Sequence, residues 1–295
     1  MRPSLTKYAW LSIGAATLTI GIKLIAYLAT DSVGLLSDAL EGIVNLAAAL
    51  VVLVTLKIVE KPPDESHHYG HDKAEYFSSG IEGTLFMIAA LAIILTATQR
   101  LLNPQPIEQI GLGLILALIA SGINLLVGRI LIHAGKEQES ITLEADGKHL
   151  MSDVWTSVGV VIGVAAAGLT GLQWLDPFIA IIVGLKIGWE GFRIILQTSR
   201  GLMDSAIELE ERRIVERVLN DYCQESLEWH ALRTRQSGSR RFISVHILVP
   251  GSWSNQESHG LAEQIESDIR NQIKNCSVFI HVEPLEDPHA FVTKI

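Results

Sequence analysis

Two pairs of polar side chains lie at helical spacing inside otherwise apolar stretches of the sequence. "SDALEGIVNLAA" contains Glu41 and Asn45, and "DGKHLMSDVW" contains His149 and Asp153. Residues four apart share one face of a helix, so two packed helices could bring four donors together. Carboxylate, amide and imidazole groups suit a divalent transition metal, and imidazole argues against an ion as hard as Mn²⁺. The spacing therefore predicts a metal site within a helix bundle.

Structural roles compete with metal binding at these positions. Hydrogen bonds between helices are the alternative for Glu41 and Asn45 taken alone. A second pair in another segment favours metal binding, because a charge at the centre of a bilayer costs at least about 2.5 kcal/mol. No ligand role is assigned to Lys23, Glu82 or Lys186, since interhelical ion pairs or snorkelling explain such groups.

The elements that must position these residues are membrane helices. The chain has 295 residues, of which 48% are hydrophobic, and a mean hydropathy of +0.33. A bilayer core about 30 Å thick needs roughly 20 apolar residues in a helix. Six runs are long enough, and they cover 8–29, 33–57, 79–101, 110–133, 148–170 and 176–198.

Charge sets the expected orientation and excludes one class of partner. Basic residues such as Lys57, Lys61 and Lys73 lie on one set of loops, whereas the opposite set carries only Arg100. The positive-inside rule therefore places both termini in the cytoplasm. A net charge of −9 makes nucleic acid an unfavourable partner.

The loop after the second span, "PPDESHHYGHDKAEYF", is dense in potential ligands. Asp64 stands beside His67, His68 and His71. A solvated loop is the alternative, but three histidines within five residues of sequence favour contact with a metal.

Residues 205–295 are rich in charge and are expected to form a cytosolic domain. The pattern predicts helix 208–221, strands 229–236 and 240–249, helix 254–274 and strand 277–284. This αββαβ order indicates an open two-layer α+β sandwich. His281 and Glu283 share one face of the last strand, and several other histidines lie nearby, which suggests a second metal site. Cys223 and Cys276 form no CxxC pair, so neither a disulfide framework nor a zinc ribbon is expected.

These motifs resemble the cation diffusion facilitator family over nearly the whole chain. "HLMSD" is similar to its fifth-span metal motif, "DESHHYGHDKAE" to its loop motif, and "HALRTRQSGSRRFISVH" with "FIHVEP" to the tail of its zinc–proton exchangers. The resemblance implies six spans, a metallochaperone-like αββαβ tail and a homodimer. It implies membrane ligands Glu41, Asn45, His149 and Asp153, and loop ligands Asp64, His67 and His71. The implied tail ligands are His230, His246, His259, His281 and Glu283, and the family's charge interlock at the dimer interface falls on Lys73 and Asp204.

The second span and the tail each depart from the family pattern. Glu41 and Asn45 replace the Asp or His and the Asp that the family often carries in the second span. Glu283 replaces an aspartate common in the zinc exchangers. Both changes bear on metal identity and affinity, and the architecture is expected to be unaffected.

We therefore expect a multi-pass protein of a bacterial inner (plasma) membrane, and not an enzyme. Residues 1–204 would transport a divalent cation, with Zn²⁺ favoured, out of the cytosol in exchange for protons. Histidine suits this exchange because its unperturbed pKa is about 6.5, and His149 would carry the proton. Residues 205–295 would sense metal, with Zn²⁺ also as regulatory ligand.

Other functions stay open at the level of sequence. The protein could be a membrane metal sensor that transports nothing, or a transporter selective for Fe²⁺, Co²⁺, Cd²⁺ or Mn²⁺. An intramembrane metalloenzyme is disfavoured because the sequence contains no HExxH motif.

Overall fold

Six long helices occupy the apolar part of the chain. The structure, a computed structural model, describes residues 6–137, 141–223 and 226–287. The helices are α1 (Thr6–Thr30), α2 (Val33–Val59), α3 (Ala74–Leu102), α4 (Ile110–Glu137), α5 (Ile141–Thr170) and α6 (Leu175–Leu202). Each contains one of the predicted spans, so the six-helix prediction is confirmed.

Five of these helices, α1 to α5, are long and apolar enough over a continuous window to cross a membrane. Helix α6 has the length but carries more charge, with Lys186, Glu190 and Arg193 in its central and later turns. A transmembrane helix tolerates such groups where they face partners or a cavity.

Contacts divide the described chain into two compact units, one of residues 1–54 with 78–195 and one of residues 55–77 with 196–295. The core of the first unit joins buried side chains of several helices, among them Leu35 of α2, Ile93 of α3, Val160 of α5 and Ile187 of α6.

Small residues let helices of the first unit approach closely, as is usual in membranes. A Cβ atom built on Gly147 of α5 would lie 2.7 Å from the carbonyl oxygen of Gly128 in α4. Any side chain at position 147 would force the two backbones apart. Because Gly147 precedes His149 by two residues, this contact helps to fix the backbone position of the predicted metal ligands on α5.

Asp176 holds the beginning of α2 in place. Its carboxylate accepts hydrogen bonds from the Ser32 hydroxyl at 2.6 Å and from the backbone N–H groups of Val33 and Gly34 at 2.9 and 3.1 Å. A carboxylate there satisfies N–H groups that have no partner within the helix. The helix that bears Glu41 and Asn45 is thus anchored at its first turn.

The second unit contains the αββαβ fold expected of the tail. Its elements are α7 (Leu209–Tyr222), β1 (Glu228–Ser237), β2 (Arg240–Val249), α8 (Asn255–Gln272) and β3 (Cys276–Pro284). The sheet order is β1-β2-β3, with β1 antiparallel and β3 parallel to β2. Its core is aliphatic, with Leu219, Ile243, Ile247, Ile265 and Ile269 almost completely buried.

Candidate metal sites

Helices α2 and α5 bring Asn45 of one predicted membrane pair to Asp153 of the other. Glu41, His149 and Asp153, all within the described part of the chain, do not converge on one point as the loop and tail ligands do. Asn45 Nδ2 donates a long hydrogen bond to Asp153 Oδ2 over 3.5 Å. The Glu41 side chain is buried, and its Oε2 atom has no hydrogen-bond partner among the described residues. A buried carboxylate oxygen without a partner is costly unless something else binds it. This arrangement suits a cation between the two helices.

A cavity of about 120 Å³ opens beside these residues. Asn45, His149 and Asp153 line it together with Asn124 of α4, and Glu41 is not part of its lining. The Asn124 side chain is buried and its Oδ1 atom lacks a hydrogen-bond partner in the described part of the chain. Polar groups facing such a space can hold water or an ion.

A buried ion pair lies next to the predicted ligands. Lys23 Nζ of α1 is 2.8 Å from Asp38 Oδ1 of α2, and the Ser157 hydroxyl of α5 donates to the same oxygen at 2.7 Å. The two charged side chains are only 5% and 2% exposed. Asp38 is therefore satisfied by a cation and a hydroxyl within the protein.

A second lysine approaches the predicted site from α6. Lys186 Nζ lies 3.8 Å from Glu41 Oε1 and donates to Thr156 Oγ1 of α5 at 2.8 Å. An interhelical ion pair was one of the expectations for Lys186, but the sequence did not indicate Glu41 as the partner, because the rotation of α6 about its axis decides which helix face Lys186 meets.

The loop residues Asp64, His67 and His71 form a compact group, with one ligand atom of each within 4.8 Å of the others. Asp64 Oδ1 is 3.4 Å from His67 Nδ1, and Asp64 Oδ2 is 3.3 Å from His71 Nε2. Hydrogen bonds from the Ser66 hydroxyl and from the backbone N–H groups of His67 and Ser66 lower the pKa of Asp64 to about 2. The carboxylate is therefore ionised and available to a metal throughout the physiological pH range.

In the tail, three histidines stand in one row across the sheet. His230 of β1 is paired with His246 of β2, which is paired with His281 of β3. Their rings follow one another, with centroids 5.0 Å and 4.9 Å apart. The register of the three strands thus places three imidazoles side by side.

Glu283 joins this row. Its carboxylate lies 2.9 Å from His230 Nε2, 3.2 Å from His246 Nδ1 and 3.5 Å from His281 Nε2. Burial raises the pKa of Glu283, but the hydrogen bond from His230 and the interactions with His246 outweigh it and lower the pKa overall.

The donor spacing fits a metal ion in both clusters. Two ligands about 2.0–2.1 Å from a tetrahedral Zn²⁺ lie roughly 3.3 Å apart. The distances from Glu283 Oε1 to His246 and His281, 3.2 and 3.5 Å, lie on either side of this value, and the two carboxylate oxygens of Asp64 lie 3.3 and 3.4 Å from its histidines. His230 is closer, at 2.9 Å from the other Glu283 oxygen.

His259 lies apart from the tail cluster. It is an exposed residue of α8, and its Nε2 atom is 3.6 Å from Glu263 of the same helix. Among the described residues, the potential metal ligands that converge in the tail are His230, His246 and Glu283, with His281 beside them. A ligand role for His259 stays a prediction.

The residues of the expected charge interlock meet within one chain. Lys73 Nζ lies 2.9 Å from Asp204 Oδ1, and Arg235 approaches the same oxygen at 3.4 Å. Hydrogen bonding by Lys73 is the main cause that lowers the pKa of Asp204. A neighbouring ion pair joins Asp72 and Arg240 at 3.0 Å. The sequence does not indicate this pair, because 168 positions separate the two residues.

Comparison with known proteins identifies the family. The family model for the cation efflux transmembrane domain matches residues 9–203, and that for the cation efflux protein cytoplasmic domain matches residues 207–285. The uncharacterized transporter sll1263 of Synechocystis sp. is 49% identical over 284 residues, which cover 96% of this chain and 92% of that protein. The cation-efflux pump FieF of Yersinia enterocolitica is 31% identical over 279 residues, covering 95% of this chain and 91% of the pump.

Among solved structures, the metal-bound C-terminal domain of the CzcD transporter from Thermotoga maritima matches 27% of this chain and 93% of its own length, at 28% identity and a TM-score of 0.26. The two family matches together span the helices and the tail. The chain belongs to the cation diffusion facilitator family and is a multi-pass membrane protein for the efflux of metal cations.

Proposed function

We propose that this protein exports a divalent transition metal, with Zn²⁺ as its preferred substrate, from the cytosol in exchange for protons. The substrate binds Glu41, Asn45, His149 and Asp153. The observation that carries the proposal is the meeting of Asn45 and Asp153 across α2 and α5, beside a cavity that His149 also lines.

The donor set explains how one site could serve both ions. Glu41 and Asp153 supply the negative charge that attracts a dication, and His149 supplies a nitrogen donor of the kind that zinc favours. Imidazole binds either a metal or a proton near neutral pH, so protons arriving from the opposite face displace the metal. Alternating exposure of the site to the two faces then couples the two movements.

The tail cluster supports a regulatory role. His230, His246, His281 and Glu283 would bind Zn²⁺ when its cytosolic concentration rises, and His259 is proposed as a further ligand. Binding to the folded dimer alone would stabilise that dimer by mass action. We assign transport to residues 1–204 and sensing with dimerisation to residues 205–295, with both termini in the cytoplasm of a bacterium.

The loop cluster is the third proposed metal site. Asp64 and His67 are about half exposed, whereas the side chain of His71 is 11% exposed. A site formed by such accessible ligands would exchange metal rapidly with the cytosol. This suits delivery or local concentration of the substrate better than permanent storage.

Transport across a membrane tests the proposal. Purified protein is reconstituted into liposomes with an acidic interior, and Zn²⁺ uptake is followed with an internal fluorescent indicator. We expect uptake that stops when a protonophore removes the pH gradient. Zn²⁺ binding without uptake would contradict export and favour a membrane metal sensor, and a panel of Fe²⁺, Co²⁺, Cd²⁺ and Mn²⁺ tests the preference for zinc.

A further inference from the structure

Lys186 is an ionisable residue near the middle of a membrane helix. Its Nζ atom contacts groups on three helices: Thr156 Oγ1 of α5 at 2.8 Å, Glu41 Oε1 of α2 at 3.8 Å and Glu190 Oε1 of its own helix at 3.7 Å. Intramembrane charges are expensive, and one that points toward a transport site calls for a functional explanation.

Among the described residues, Lys186 is the cation in ion-pair contact with Glu41. Lys23 also acts on Glu41 from a distance, but its ammonium is in direct contact with Asp38. Asp38 and Asp153 act on Glu41 with the opposite sign. Because position 45 is an amide and not an acid, Glu41 and Asp153 are the two carboxylates of the proposed site, and one of them already lies near an ammonium group.

We propose that Lys186 is a tethered competitor of the transported metal, an inference that rests on Glu41 being a transport ligand. With no metal bound, the ammonium group balances the charge of Glu41. When a dication binds Glu41, repulsion moves the ammonium group to Glu190, one turn further along α6. When the metal leaves, the ammonium group returns.

The geometry makes this movement small. The distances from Nζ to the two carboxylates differ by only 0.1 Å, so the ammonium group is shared between Glu41 and Glu190. The Thr156 hydroxyl can remain a hydrogen-bond partner while the flexible lysine stem turns. Lys186 therefore weakens the binding of metal and speeds its release without being a ligand.

The test compares the Michaelis constant KM for Zn²⁺ with the maximum rate, in proteoliposomes at fixed pH on both sides. Lys186→Met removes the competing charge at similar side-chain length. We expect KM to fall by about tenfold, because the ammonium group lies 3.8 Å from Glu41, whose side chain is only 7% exposed. The maximum rate should fall as well, since release becomes slower.

Glu190→Gln supplies an independent test of opposite sign. It removes the alternative partner of Lys186, so the ammonium group should stay with Glu41 and KM should rise. Lys186→Arg keeps the charge and should keep KM close to that of the wild type. Arg193→Gln removes an exposed charge from the same helix and is the matched control, with KM unchanged.

The outcomes separate this inference from the proposed function. If Glu41→Gln leaves transport and KM unchanged, the transport site itself is misassigned. If Glu41→Gln abolishes transport but Lys186→Met leaves KM unchanged or raises it, the competitor role is overturned and the site stands. Should Lys186→Met fail to fold, an unchanged or lower KM in Glu190→Gln overturns the inference by itself. An equal fall of KM in Arg193→Gln would overturn it too, because it would show a general effect of charge.

Discussion

Asn45 Nδ2 donates to Asp153 Oδ2 across the interface of α2 and α5, at 3.5 Å. An amide carries its donor nitrogen and its acceptor oxygen on opposite sides of one group. In the arrangement seen here, the nitrogen orients the carboxylate of Asp153. A half-turn of the same amide would offer its oxygen to a metal at the proposed transport site.

Replacing Asn45 by Asp should tighten metal binding and make it more sensitive to pH. An added carboxylate near a dication contributes several kcal/mol at an effective dielectric constant of about 20. Repulsion among three acids offsets part of this gain, because the empty site would take up protons. We also expect slower release and wider acceptance of harder ions such as Mn²⁺. The measurement is Zn²⁺ and Mn²⁺ affinity with proton-driven flux, between about pH 6 and about pH 8. If the variant keeps the affinity, pH profile and metal preference of the wild type, Asn45 does not line the proposed site.

Breaking the buried pair of Lys23 and Asp38 should destabilise the helix bundle. Lys23→Met leaves the Asp38 charge buried with the Ser157 hydroxyl as its remaining close partner. Removing one partner of a buried ion pair typically costs about 3–5 kcal/mol. The double variant Lys23→Met with Asp38→Asn should recover much of that loss, which thermal unfolding in detergent can measure. Equal stability of the single variant and the wild type would show that Asp38 does not depend on Lys23.

In the tail, His246→Ala should weaken metal binding much more than His259→Ala does. His246 stands at the centre of the histidine row and contacts Glu283, whereas His259 is exposed on α8. Calorimetric titration of the full-length protein with Zn²⁺ gives the number of sites and their affinities. An equal loss in the two variants would place His259 in the same site, which the contacts within one chain do not show.

The two thiols should be unreactive in the native protein. Burial raises the pKa of both Cys223 and Cys276 to about 11. The thiolate is the reactive form, and a pKa of about 11 in place of the ordinary value near 9 lowers the thiolate fraction about 100-fold at pH 8. Alkylation followed by mass spectrometry should therefore be slow at pH 8, accelerate as the pH approaches 11, and be fast in denaturant. Rapid labelling of the native protein at pH 8 would contradict this burial.

The sequence predicted elements better than it predicted their ends. The third span was expected at 79–101 and the fifth at 148–170, whereas α3 begins at Ala74 and α5 at Ile141. Hydropathy detects the apolar part of a helix, but backbone hydrogen bonding continues into polar turns. Strands β1 to β3 lie within one residue of their predicted ends, because alternating β-branched residues are bounded by turn residues.

The sequence pattern did not predict which residues the buried lysines and the tail histidines contact. Nothing in the spacing of Lys23 and Lys186 indicates that one meets Asp38 and the other Glu41, since helix rotation and packing decide these contacts. The row of His230, His246 and His281 depends on strand register, which shifts at an irregularity between His230 and Arg233. Periodicity predicts which helix or strand each of these residues belongs to, whereas the packing of helices and strands determines which residues they contact.

The most direct test of the proposed transport site is proton-driven Zn²⁺ flux through the variants His149→Ala and Asp153→Ala. His133→Ala is the matched control, because His133 is an exposed histidine of α4 whose ion-pair partner is Glu137. We expect flux to be nearly abolished in the first two variants and unchanged in the control, with all three proteins folded and dimeric by size-exclusion chromatography. Wild-type flux through His149→Ala or Asp153→Ala would contradict the proposed site.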